Sequence, residues 1–289
     1  MAVYTKITNK EIISISNSYK LDKIIKFTGI KKGIENTNYL LRTRKKKLIL
    51  TIFEKRIKKK DLPFFMNLMD RLNQKNILCP KPLKDKKGQH LNKIKGKSAC
   101  IVSFLEGKDK AKLNNKNCFE IGKNIAKFHK AANKIKLYRR NSMSVTQLDS
   151  LLKSIKIKSS KIDSGIVPIL YKNLKDIKKK WPKNLPSGII HGDLFIDNIF
   201  FNKKNFSGFI DFYFSSNDYL MYEIAICINA LCFDKKNNKF IINYKKIKNL
   251  VDGYETIRVF SKKERDSLNI LCRGAALRYL LTRIYDYFN

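Results

Sequence analysis

The stretch Ile189-Ile190-His191-Gly192-Asp193-Leu194-Phe195-Ile196-Asp197-Asn198-Ile199-Phe200-Phe201 sets two apolar runs around a polar loop. Short apolar runs of this kind bury as strands. Asp and Asn between two strands often do no more than make turn hydrogen bonds. Here the spacing is more particular: His191, Asp193 and Asn198 form H-x-D-x-x-x-x-N, and Asp211 follows in "FIDFYF" thirteen residues after Asn198. With 3 His, 16 Asp and 27 Asn in the chain, chance yields that spacing only ~0.015 times. An ordinary turn does not account for it.

Phosphoryl transfer to an alcohol needs a carboxylate beside the attacking hydroxyl, to orient it and take its proton. It also needs oxygen donors for magnesium, which neutralises charge on the phosphates. An Asp and an Asn five residues apart on one loop, with a further Asp at the end of a neighbouring strand, can supply both. The pattern is related to the H-R-D-x-x-x-x-N loop and metal-binding Asp of protein kinases.

Outward from this loop the chain reads as two regions. In the first hundred residues "KIIKFTGI" (23–30), "TNYLLRT" (37–43) and "KLILTIFEKR" (47–56) are strand-like, with "GIKKGIEN" a glycine-bearing turn between the first two. "DLPFFMNLMDRLNQKNI" (61–77) has helical spacing of Phe65, Leu68, Met69 and Leu72, with Asp61 placed to cap it. Two more strands follow, the last "ACIVSFLEG" (99–107). Beyond Gly107 amphipathic helices dominate: "NCFEIGKNIAKFHKAAN", "QLDSLLKSI", "ILYKNLKDIKKKW", "YLMYEIAICINALCF", "YKKIKNLVDGYETI" and "ERDSLNILCRGAALRYLLTRIYDYF". The expectation is an α+β chain of two lobes. Residues 1–104 form a small antiparallel-sheet lobe with one helix, and residues 105–289 a larger, mainly helical lobe. Clefts between such lobes are common small-molecule sites.

The net charge of +38 invites a nucleic-acid reading. Of the basic residues 51 are lysine and 11 arginine, scattered from end to end. A specific nucleic-acid face clusters its charge and uses arginine forks on phosphate. A lysine-rich solvated surface, attracting polyanions without selectivity, is the simpler account. Six cysteines lack C-x-x-C or Cys/His metal spacing and read as reduced core thiols. The start, "MAVYTKITNKEI", lacks an apolar signal core and no run is long enough to span a membrane, so a cytoplasmic protein is expected.

"HGDLFIDNIFF…GFIDFYF" resembles the aminoglycoside phosphotransferase/choline kinase superfamily, whose fold is protein-kinase-like. "EIGKNIAKFH" is similar to its first large-lobe helix, "IVSFLEG" to its hinge, "GIKKGIENTNYLL" to its phosphate-covering turn and "DYLMYEIAI" to the segment after its metal-binding Asp. Within it the likeness is strongest to the bacterial homoserine kinases. It runs from "MAVYTKIT" through "LILTIFEKR" and "DLPFFMNLMDRL" to "RGAALRYLLTRIYDYFN", nearly the whole chain. The resemblance implies ATP and Mg2+ as cofactors, L-homoserine as acceptor, and O-phospho-L-homoserine, a step toward threonine, as product. It makes Asp193 the catalytic base and His191 a support of its loop, with Asn198 and Asp211 as metal ligands. Gly33, Asn36 and Asn38 would meet phosphates, and Ser103, Phe104 and Leu105 adenine. Asp218 or Glu223 would face the acceptor's ammonium and Arg139 or Arg140 its carboxylate, with arginines 273, 278 and 283 competing for the latter role.

The sequence also departs from the pattern. Thr51 stands where the superfamily often has a phosphate-pairing lysine, and "LPFFMNLM" lacks the helical Glu that would hold it. Losing both is coherent, since a lone buried carboxylate is costly. Lys55 and Arg56 are then options for neutralising phosphate, against a plain reading as surface charges. Glu223 stands where Asp is commoner. "KGKS" (95–98) is not a P-loop, because Leu91 occupies the required glycine position. His129 reads as a helix-end residue bonding carbonyls, or as a substrate-site residue. Trp181 and the aromatics Tyr279, Tyr285, Tyr287 and Phe288 read as packing groups. The alternatives are a kinase for an aminoglycoside, choline or methylthioribose, a kinase-like pseudoenzyme, and a basic nucleic-acid binder.

Overall fold

The computed structural model describes residues 3–31, 35–54, 57–158, 165–203 and 205–288. The chain divides into two compact units, both discontinuous. One comprises Met1–Gly107 with Phe200–Tyr213, the other Lys108–Ile199 with Phe214–Asn289.

The first unit opens with helix α1 (Asn9–Ser18), started by a capping box in which Thr8 and Glu11 satisfy each other's amides. Strands β1 (Lys26–Gly29), β2 (Thr37–Arg42) and β3 (Lys47–Ile52) precede α2 (Leu62–Gln74), and β4 (Leu91–Ile94) and β5 (Lys97–Ser103) follow it. The sheet runs β1-β2-β3-β5-β4 and every pairing is antiparallel. Leu48, Leu50 and Ile52, on one face of β3, pack with Ile12, Ile15 and Tyr19 in a common core. The opposite face of β3 presents Thr51. This unit therefore has two helices where one was expected. Asp61 sits at the α2 N-cap, but its side chain makes no capping bond and a short turn, Lys59–Asp61, precedes it.

The second unit holds α3 (Asn115–Ala132), α4 (Leu148–Lys158), α5 (Ile166–Lys180) and strand β6 (Ser187–Ile190). Strand β7 (Ile199–Asn202) starts at the last residue of this segment and otherwise, with β8 (Asn205–Phe209) to which it pairs, belongs to the first unit. Strand β9 (Ser216–Tyr219), helix α6 (Leu220–Leu231), the ribbon β10 (Phe233–Lys236) and β11 (Lys239–Ile242), α7 (Tyr244–Glu255) and α8 (Lys262–Phe288) complete the second unit. The apolar α6 is buried along most of its length, and α8 packs along α6, α4 and α5. Trp181 packs edge-on to Tyr222, as a core residue. Of the aromatic C-terminal residues, Tyr279 is packed whereas Tyr285 and Tyr287 are exposed, Tyr287 at 83%. All six cysteines are free thiols, and burial pushes Cys79, Cys100 and Cys272 up to about 12. No helix among the described residues is long and apolar enough to cross a membrane.

Helices α3 and α7 approach until backbone meets backbone. A Cβ on Gly122 would lie 1.9 Å from the Leu250 carbonyl oxygen, and one on Gly253 would lie 2.0 Å from that of Phe119. Neither backbone atom can swing aside. Gly122→Ala is expected to destabilise the protein by about 3 kcal/mol or more, the upper end of overpacking, read from the urea midpoint at unchanged m-value. A loss below ~1 kcal/mol would show that the helices separate easily.

Candidate active site

The polar loop hangs between β6 and β7, and these flanking strands do not pair with each other. β6 pairs with β9 and β7 with β8. Ile189, Ile190, Ile199 and Phe201 are buried, so both ends of the loop are anchored. A simple hairpin is thereby excluded, as the spacing of the motif implied.

Inside the loop the chain is held by a buried carboxylate. Glu223, on α6, has no solvent exposure. Its Oε2 accepts the backbone N–H of His191, and its Oε1 that of Gly192 at 3.1 Å. Gly192 lies at φ +79°, and a Cβ there would sit 3.0 Å from the Phe214 carbonyl oxygen, so only glycine fits. Tyr279 of α8 donates its hydroxyl to the Gly192 carbonyl at 3.2 Å, and its ring packs edge-on to Phe195 with centroids 4.6 Å apart. His191 is itself fully buried, its carbonyl accepting from the Ser215 hydroxyl at 3.4 Å.

These contacts position Asp193 and Asn198. The Asn198 amide nitrogen donates to the Asp193 carbonyl at 2.8 Å and to its carboxylate Oδ2 at 3.1 Å. The amide therefore braces the carboxylate against its own loop, and with its nitrogen so used presents its oxygen elsewhere. An amide oxygen is a donor magnesium accepts. Among the described residues no three His, Cys, Asp or Glu side chains cluster as a metal cage. A magnesium held by one or two protein oxygens, phosphate and water does not require one. Asp211, in the other unit, is exposed and follows β8 at φ +63°. Asp is among the few residues that tolerate this left-handed conformation, and such outliers concentrate at functional sites.

The remaining predicted residues distribute unevenly. Gly33, Lys55 and Arg56 lie outside the described residues. Asn36 is buried at the start of β2, its Oδ1 without a partner among the described residues. The Thr51 hydroxyl donates to Asn38 Oδ1 at 2.7 Å. The Ser103 N–H already donates to the Lys81 carbonyl at 2.8 Å, and that of Phe104 to Lys47 at 3.4 Å. Asp218 accepts from the Asn141 amide at 2.6 Å and is mostly buried. Arg139 donates to the Ser215 carbonyl at 3.0 Å, and Arg140 is exposed. Glu223 differs most from expectation: both its oxygens hold loop backbone, so it supports the loop and does not present itself to an acceptor.

His129 fits neither of its sequence readings. Fully buried, it places Nδ1 2.9 Å from the Tyr254 hydroxyl and Nε2 3.9 Å from Glu223 Oε2. Tyr254 in turn neighbours Arg258, which pairs with Glu264 at 2.8 Å. The link reaches the loop through Glu223, and the sequence held no sign of it beyond a histidine in an amphipathic helix.

Burial lowers the His129 pKa below its ordinary value, against the opposing pull of Glu223. Below about pH 6.5, the ordinary histidine value, the unfolded chain takes up a proton that the folded chain refuses. Stability therefore falls as pH drops from about 6.5 toward the lowered folded value, by at most one proton's slope, and is unaffected above it. Urea midpoints from pH 7.5 to 5 are expected to show this slope, and His129→Gln to flatten it. An unchanged slope in the variant would place the titration elsewhere.

The phosphotransferase enzyme family model matches residues 26–259. The homoserine kinase of Agrobacterium fabrum is 42% identical over 287 residues, covering 99% of this chain and 88% of its own length. That of Methylobacterium radiotolerans is 38% identical over 289 residues, 100% of this chain and 89% of its own. Among solved structures, an amicoumacin kinase in complex with AMP-PNP, Ca2+ and Ami superposes with a TM-score of 0.76 at 14% identity, covering 98% of this chain and 87% of that one. A choline kinase from Cryptosporidium parvum gives 0.70 at 15% identity, with 97% and 90% covered. The structural likenesses establish the protein-kinase-like α+β fold. The braced Asp193 and Asn198, the full-length sequence likeness and the shared fold agree, and the chain belongs to the phosphotransferase enzyme family and, within it, to the homoserine kinases.

Proposed function

We propose that the protein transfers the γ-phosphate of ATP to the side-chain hydroxyl of L-homoserine, giving O-phospho-L-homoserine for threonine synthesis. The observation that carries the reading is the Asn198 amide bridging the Asp193 backbone and carboxylate, in a chain similar to homoserine kinases along its whole length. Asp193 orients the homoserine hydroxyl and accepts its proton as the oxygen bonds to the γ-phosphorus and the bond to the β-phosphate oxygen breaks. Direct in-line transfer needs no covalent enzyme intermediate. Asn198 and Asp211 are the proposed magnesium ligands, and the bound ion supplies charge neutralisation on the phosphate oxygens. Asn38, its oxygen held by Thr51, offers its amide nitrogen to phosphate alongside Asn36 and Gly33. With the Ser103 and Phe104 amides engaged, the Leu105 backbone is the best placed of the three for adenine. Asp218 is the proposed partner of the substrate ammonium.

Coupled ADP release with magnesium-ATP tests this reading, using homoserine, serine, choline and kanamycin in turn. Homoserine alone is expected to give strong turnover, and Asp193→Ala to lower kcat by about 10³-fold or more. Asn198→Ala is expected to raise the magnesium concentration needed for half-maximal rate by ~10-fold or more. Preference for another acceptor would keep the kinase and discard the substrate.

Asp218 yields a pH prediction. Burial raises its pKa above the ordinary aspartate value, outweighing the hydrogen bonds from Asn141 and the Tyr219 N–H and the charge of Arg278. A raised pKa keeps the carboxyl protonated to higher pH, where it cannot pair with ammonium. The acid limb of kcat/KM for homoserine is expected to lie above pH ~4, and Asp218→Asn to lower kcat/KM and remove that limb. A limb unchanged in the variant would exclude Asp218 as its source.

A further inference from the structure

Three arginines occur at five-residue intervals along α8, and each has a different fate. Arg273 pairs with Asp176 at 2.9 Å, and Arg283 is exposed. Arg278 is only 3% exposed, and neither its Nε nor its Nη1 has a hydrogen-bond partner among the described residues. A buried guanidinium with donors unused is expensive to keep. It is kept where an anion arrives to complete it, and the planar fork is suited to a carboxylate.

Its surroundings fit that role. The guanidinium stacks over the Tyr279 ring at 4.9 Å and the Phe214 ring at 5.9 Å, which hold its plane without neutralising it. The buried Tyr222 hydroxyl lies beside it, a neutral hydrogen-bonding group against the guanidinium. Tyr279, the next residue, is bonded to Gly192, next to Asp193, so α8 holds Arg278 against the catalytic loop. The charges of Arg278 and Asp193 act on each other, as do those of Arg278 and Asp218. A cation thus stands near the proposed base and an anion near that cation, the complement of an α-amino acid whose side-chain hydroxyl is to react. The family model ends at residue 259, whereas the likeness to homoserine kinases covers 99% of the chain. Arg278 therefore lies beyond the stretch that the family model matches.

We propose that Arg278 binds the α-carboxylate of the acceptor and is the residue that selects an amino acid over other alcohols. This deepens the homoserine reading and rests on it. Arg139 is engaged with the Ser215 carbonyl and Arg140 is exposed, so neither offers the same unused fork.

The test compares L-homoserine with two truncated acceptors, 3-aminopropan-1-ol, which lacks the carboxylate, and 4-hydroxybutanoate, which lacks the ammonium. In Arg278→Gln, kcat/KM for homoserine and for 4-hydroxybutanoate is expected to fall about 100-fold or more, mainly through KM. That for 3-aminopropan-1-ol is expected to fall less than about threefold. Arg278→Lys, with the charge but not the fork, should lie between. The ratio of two acceptors within one variant does not depend on how much of it is folded, so partial unfolding cannot imitate the result. Where a truncated acceptor turns over too slowly to follow, its inhibition constant against homoserine supplies the ratio. Equal losses on all three acceptors, or none, would overturn the inference while leaving homoserine kinase activity in place. A wild-type protein inactive on homoserine would overturn the functional reading and this inference together.

Discussion

A carboxylate sealed inside a protein must find its hydrogen bonds there, and Glu223 finds them in the backbone of the loop it supports. Truncating the side chain would leave the N–H groups of His191 and Gly192 without acceptors in an interior that cannot supply water. The loop's shape, and with it the direction of Asp193, is thus tied to α6, the most buried helix of its unit. Gly192 is the second half of the same constraint, because the Phe214 carbonyl leaves no room for a side chain at the bend. Glutamate in place of the superfamily's commoner aspartate still spans from helix to loop. On the far side of the carboxylate stand His129, Tyr254, Arg258 and Glu264, so the acid is flanked by polar groups on both sides. Networks of this kind are costly when incomplete and rigid when complete.

From that anchor the division of labour follows. α8 contributes Tyr279 to the loop that carries Asp193 and buries Arg278 one residue before it, so under the proposed reading one helix both fixes the base and meets the acceptor. The surface obeys a different logic. The chain has 62 basic residues and 24 acidic ones, so most lysines have no acid to pair with. Pairs such as Lys47–Glu106 and Lys178–Asp149 are exposed on both sides and contribute little. The protein's charge is a property of its solvated shell, and the few charges inside, such as Glu223, Lys246 and Glu264, are mostly held by partners.

Much of this was legible in the sequence because the decisive residues are local. Asp193 and Asn198 are five positions apart, and the helices announce themselves by their apolar period. Helix α1 escaped notice because "EIISISNS" is rich in β-branched and serine residues that favour strands and turns; its sign was the capping pair Thr8 and Glu11. The β10–β11 hairpin was likewise marked only by Asn237 and Asn238, which turn at φ +46° and +60°. The partners of β6 and β7 could not be read, since strand pairing is decided across the fold. Nor could Arg278 be chosen from its two helix-mates: the five-residue interval gives an angle around the helix and says nothing of depth. Burial singled it out, and burial is a tertiary property.

Thr51 shows how a local departure acquires its reason only in three dimensions. The residue is 3% exposed, and its hydroxyl donates to Asn38 on the neighbouring strand. A lysine in its place would lose the hydrogen bond to Asn38 and bring a charge to a buried position. The first two turns of α2 hold no acid to receive it, since Phe64, Phe65, Met66 and Leu68 make up much of their buried face, and Asp70 further on pairs with Lys84. Lysine and glutamate in such a pair are each tolerable only while the other is present, so their loss is one change and not two. What replaces the pair here is a neutral hydrogen bond that costs little to bury and fixes the Asn38 amide. A net charge of +38 gives the surface a long-range field that attracts an anionic nucleotide, and that attraction weakens as salt is added.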